Sequence, residues 1–231
     1  MKIFCYAFLI FITSSLLPTF TSCSNNEYVD SKSTTESVAV DTFKILEKYS
    51  SSITKSIYEK AYDKNNELID YEKAKEIMLN YKFEDKNIDL SPCFSPTYTR
   101  STGEVNIKDY LSEGQYKILE TYLLKDKVTD QDLILAKQNA VLLPNDEQQI
   151  VIYIIDATMS ITNGIFQEIS NLAVNTRAAK RESVTFVCNL GAGMIGAVTG
   201  FLAGCFTGPA APLVGSIVST AVGAYISTKA C

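Results

Sequence analysis

Residues 183–228 read SVTFVCNLGAGMIGAVTGFLAGCFTGPAAPLVGSIVSTAVGAYIST and contain no charged side chain. Eight of the chain's eleven glycines fall in this run. Gly208-Pro209-Ala210-Ala211-Pro212 divides it into two arms of ~20 residues each, which predicts two antiparallel helices joined by a tight turn. Glycine inside a helix costs about 1 kcal/mol against alanine, so its concentration here needs a physical reason. The spacing supplies one. Cys188, Ala192, Gly196, Gly200, Gly204 and Gly208 recur every fourth residue along the first arm. Ala211, Gly215, Ser219, Gly223, Ser227 and Cys231 do the same along the second. Such small-residue ladders let two helix backbones approach closely, so they mark the facing sides of a hairpin.

The same register places the end cysteines. Cys188 precedes Gly208 by as many residues as Cys231 follows Ala211, so an antiparallel hairpin brings the two together at its open end. In an oxidising compartment such a pair closes, which predicts a Cys188–Cys231 disulfide. Cys93 and Cys205 can pair with each other or stay free. The sides opposite the ladders carry Leu190, Met194, Val198, Phe201 and Leu202 on one arm and Ile217, Val218, Val222, Tyr225 and Ile226 on the other. Two environments can cover them: a bilayer, or the apolar side of the chain's own helices.

Upstream, apolar residues recur three or four apart from Glu36 to Asp63, which predicts a long amphipathic helix. A second helix is expected over Glu67–Tyr81 and a third over Ser112–Leu124. Between them Phe83–Lys108, with Pro92, Pro96 and Gly103, reads as a long loop. Thr129-Asp130-Gln131-Asp132 has the form of a capping box opening a short helix that Pro144 closes, and Asp146 to about Glu182 reads as another long helix. The fold class expected is all-α: a helical bundle over 36–182 followed by the glycine-rich hairpin over 183–231.

The bundle carries no convincing chemistry. The chain has no His, which removes Ser–His and Cys–His nucleophile pairs and His-containing zinc sites. Its net charge of −5 argues against nucleic acid as a partner. Asp63 to Asp70 is oxygen-rich like a calcium loop, but Leu68 occupies the glycine position and Ala74 the terminal glutamate position, so a polar connector is expected. The pairs Asp85/Asp89 and Asp130/Asp132 read as solvated carboxylates. Arg177, Lys180 and Arg181 form a small basic cluster suited to lipid head groups or to a helix C-terminus. No metal, cofactor or catalytic residue is expected, and the chain is not read as an enzyme.

The N-terminus reads as an address. Met1-Lys2 precedes the apolar run Ile3–Leu17, and Pro18 ends it before small and hydroxyl residues, which predicts a secretory signal over 1–22. Phe20-Thr21-Ser22-Cys23 resembles the lipobox of bacterial lipoproteins, in the looser form found in Bacteroidota. The resemblance implies acylation of Cys23, palmitate among the acyl chains, and residence in the cell envelope as an outer-membrane lipoprotein on its periplasmic face or at the cell surface. Residues 23–35 then read as a polar tether. The hairpin, in turn, resembles the GxxxG-bearing segments of class II bacteriocins and glycine-zipper membrane proteins. That second likeness implies membrane engagement or permeabilisation through Gly196, Gly200, Gly204, Gly208, Gly215, Ser219 and Gly223. The resulting expectation is a non-enzymatic exported lipoprotein whose hairpin engages membrane or a partner helix. The alternative is a structural or adhesive surface lipoprotein with the hairpin buried in its own helical core and the Phe83–Lys108 loop making the contacts to a protein partner or a second copy.

Overall fold

The computed structural model describes residues 35–81, 107–172, 182, 184–188, 200, 202–204, 207 and 211–231. The fold is all-α. Helix α1 spans Thr35–Lys60, α2 Tyr71–Leu79, α3 Glu113–Tyr122, α4 Asp130–Ala140, α5 Asn145–Leu172 and α6 Ala211–Ala230. A short 3₁₀ turn, Ile107–Asp109, precedes α3.

Helix α5 is the axis of the molecule and packs against α1, α3, α4 and α6. Its buried positions Val151, Ile154, Ile155, Thr158, Ile161, Thr162, Ile165 and Ile169 follow the three-four spacing of a core stripe. Helix α1 answers with Leu46, Tyr49, Ser50, Ile53, Thr54 and Ile57. The two helices run parallel. Phe43 meets Tyr153 with ring centroids 5.3 Å apart, Gly164 lies against Glu47 and Ser50, and the Ser51 hydroxyl donates to Glu168 at 3.2 Å. Close approach is possible because the interface is made of small and hydroxyl side chains. The buried hydroxyls of Ser50, Thr54, Thr158 and Thr162 donate to carbonyls one turn earlier in their own helices, so none of them is left unpaired.

Helix α1 ends at Lys60, short of the expected Asp63, and the second helix starts at Tyr71 instead of Glu67. The intervening chain forms a two-stranded antiparallel hairpin, β1 Tyr62–Asp63 and β2 Leu68–Ile69. Asp63 explains the difference. Its carboxylate accepts from the Asn65 and Asn66 amides and from the Asn66 side chain, which turns the chain back, and Glu67 completes the turn at φ 53°. Asp70 then caps α2 by accepting from the Lys73 amide. The expected capping box at α4 is present, with Thr129 and Asp132 bonded reciprocally, and a second one at α3 joins Ser112 to Gln115.

Candidate functional site

The C-terminal segment packs closely where it is described. A Cβ at Gly200 would run into the carbonyl oxygen of Gly215 and lie 2.9 Å from both the amide nitrogen and the Cβ of Ser219. These are ladder positions of the two arms, so the small residues bring the backbones into contact here. Gly204, Gly215 and Gly223 are buried as well. Cys188 and Cys231 stand at disulfide distance, with Cα atoms 5.6 Å apart. Just before that bridge, Phe186 packs edge-on against Tyr58 and Tyr62 beyond the end of α1. The Tyr58 hydroxyl donates to Glu182, which also pairs with Lys64 at 3.3 Å. Burial and the Glu182 carboxylate together push the Tyr58 hydroxyl above the ordinary tyrosine range.

Among the described residues opposite the ladders, Leu202 on the first arm and Ile217, Val218, Val222, Tyr225 and Ile226 on α6 are all buried, while Leu190, Met194, Val198 and Phe201 lie outside the described residues. Phe166 of α5 meets Tyr225 edge-on at 5.9 Å, and the Tyr153 hydroxyl donates to the Ala203 carbonyl at 2.8 Å. A polar latch fastens the C-terminal end of α6 to the start of α4. The Tyr225 hydroxyl donates to Asp130, and Lys229 pairs with the other Asp130 oxygen at 2.6 Å. The Lys229 ammonium, and then the Tyr225 hydroxyl, hold the Asp130 carboxyl below the usual carboxylate range.

Other acidic groups are likewise absorbed by structure. Burial opposes the ionisation of Asp132, but the Lys125 ammonium and the Thr129 hydroxyl and amide outweigh it and keep the group below its ordinary value. Asp63 is held low by the Asn66 side chain and the two turn amides. Among the described residues no group of three or more His, Cys, Asp or Glu is placed to hold a metal ion. Two surface depressions among the described residues, of about 610 and 490 Å³, are open. The first lies over the charged side of α2, and the second runs between Lys125 and the Ser219, Gly223 and Ser227 side of α6.

No protein family model, curated protein or solved structure matches the chain. Its function has therefore to be argued from its own residues.

Of the residues singled out in the sequence, Gly200, Gly204, Gly215, Ser219, Gly223, Cys188 and Cys231 fall in described positions. Gly200 meets Gly215 and Ser219 directly. Cys23, Cys93, Arg177, Lys180, Arg181, Gly196, Cys205, Gly208 and the Asp85/Asp89 pair lie outside the described residues. Two features were missed in the sequence. Gly164 is a second close-approach glycine, between α1 and α5, and its placement inside a long helical pattern was the available signal. The Asp130 latch left no local signal, because its partners lie 95 residues away or more.

Proposed function

We propose that the chain is an exported, non-enzymatic lipoprotein of the cell envelope, held at the outer membrane by acyl chains on Cys23. Its glycine-zipper hairpin serves as the core of its own helical domain. The burial of Ile217, Val218, Val222, Tyr225 and Ile226 carries this reading. Among the described residues of α6 the exposed ones are Thr220, Ser227 and Lys229, all of them polar. The module then works by binding a protein partner, or a second copy, through its surface.

A second reading has its own support. The 46-residue uncharged run, and α5 with a length and hydropathy sufficient to cross a membrane, favour a hairpin that leaves the bundle and engages a bilayer, in the manner of bacteriocin-like permeabilising proteins. That transition would have to break the Asp130 latch and uncover α5.

Vesicle flotation of the mature chain with Cys23→Ser, oxidised and then reduced, separates the two. We expect the acylated protein to float and the variant to remain at the bottom in both redox states. Flotation of the unacylated variant in either state would replace the first reading with the second.

A further inference from the structure

One end of the molecule gathers features that the hairpin does not explain. Because α1 and α5 run parallel, Thr35 and Asn145 lie at the same end. The turn from α4 into α5, Val141-Leu142-Leu143-Pro144, lies there too. Leu143 points inward, where its Cδ2 would touch a Cβ at Gly114. Val141 and Leu142 point outward, 54% and 79% exposed, and Leu142 is the most exposed large apolar side chain among the described residues. Ile134, seven residues before Val141 on the same helical face, is 47% exposed.

This apolar tip is rigidly built. The amides of Val141, Leu142 and Leu143 donate to Lys137, Asn139 and Ala140, and the Gln148 side chain donates to the carbonyls of Val141 and Leu143. With three of its amides and two of its carbonyls paired internally, the turn leaves few backbone groups to strand in a water-poor layer. Residues 138–147 contain no Lys or Arg, and their charged groups are the carboxylates of Asp146 and Glu147, so contact with lipid would be apolar, with no attraction to anionic head groups.

We propose that the Val141–Leu142 turn is the face this protein lays on the bilayer that holds Cys23. The proposal rests on the acyl anchor argued above. Thr35 lies twelve positions after Cys23, with eleven residues between them. Twelve residue steps span no more than ~43 Å even when fully extended. The anchor therefore ties the Thr35 end of the bundle to the lipid, and the exposed apolar tip lies at that end. The β1–β2 hairpin, with Leu68 exposed at 65%, lies at the other end, one length of α1 away, or ~39 Å. Two apolar side chains orient an anchored protein without sufficing to hold it there, so the unacylated chain still fails to float.

The chain has no Trp, so a single introduced Trp reports its own surroundings. Full-length acylated protein carrying Leu142→Trp, or Leu68→Trp as the opposite-end control, is reconstituted on phosphatidylcholine vesicles with and without brominated acyl chains. Intact mass establishes the acyl chains on Cys23. We expect blue-shifted emission from position 142 that is quenched by the brominated lipid and unchanged by salt, and water-like, unquenched emission from position 68. Unchanged thermal melting of both variants shows that the fold is kept. Water-like emission at position 142 on acylated protein overturns the docking face while leaving the anchor intact. Blue-shifted but unquenched emission also overturns it, because protein and not lipid then covers the turn. Absence of acyl chains by mass removes the anchor itself, and the docking face with it.

Discussion

Gly164 and Gly200 show how much of this fold depends on the absence of a methyl group. On an exposed helix, Gly→Ala stabilises by about 1 kcal/mol through helix propensity. At Gly164 the added Cβ would lie against the Glu47 backbone and 3.1 Å from the Ser50 Cβ, and a helix backbone cannot yield as a side-chain tip can. Overpacking of this kind costs about 1–3 kcal/mol, enough to cancel the propensity gain and reverse its sign. We therefore expect Gly164→Ala to lower the urea midpoint, and Gly164→Val to lower it further. Gly200 is in the same position against Gly215 and Ser219, so Gly200→Ile should open the hairpin register, seen as loss of protection in amide exchange along α6. An unchanged midpoint for Gly164→Ala would mean that α1 and α5 are less closely packed than described.

At the level of elements, α4 is a short helix held at its start. Thr129 and Asp132 cap it reciprocally, and Asp130 ties it to α6 through Tyr225 and Lys229. Thr129→Ala should cost about 1 kcal/mol, as removal of a helix N-cap generally does, measured by chemical denaturation. The latch sets a pH dependence whose sign follows from its shifted carboxyl. Asp130 is held below its ordinary value in the folded state, so its contribution is complete above the unfolded value of about 3.9 and disappears as the pH falls through the lower, folded one. Asp130→Asn removes that contribution at neutral pH and flattens the stability profile between those two values. A variant profile parallel to that of the parent would show that the latch adds nothing to folding.

For the whole molecule, the Cys188–Cys231 bridge closes a 43-residue separation. Chain entropy alone assigns such a loop about 4 kcal/mol at 25 °C, a large share of the stability of a domain this size. The double variant Cys188→Ser, Cys231→Ser should lower unfolding free energy by up to about that amount. It should also leave the helical circular dichroism unchanged, because the outer face of α6 stays buried by contacts the bridge does not make. Loss of helical signal on reduction would instead mean that the covalent closure, and not packing on α5, holds the hairpin in the bundle.

Several features follow from local pattern and were legible in the chain. The helical class comes from three-four apolar spacing. The cap at Thr129 comes from a side chain that bonds an amide three residues on. The Gly200 contact and the pairing of Cys188 with Cys231 come from two four-residue ladders counted outward from one Gly-Pro turn sequence. In each case the deciding interaction is either near in sequence or repeated along it. The β1–β2 turn was hidden because a few polar residues can serve equally as a connector or a hairpin until Asp63 chooses its donors. Tertiary structure alone decided two things the sequence left balanced: what packs on the outer side of α6, and where Asp130 finds Tyr225 and Lys229. An apolar side chain is satisfied equally by hydrocarbon or by protein, so its pattern carries no record of which one it meets. Only the arrangement of α5 beside α6, set by contacts between residues far apart in the chain, makes that choice in the fold described.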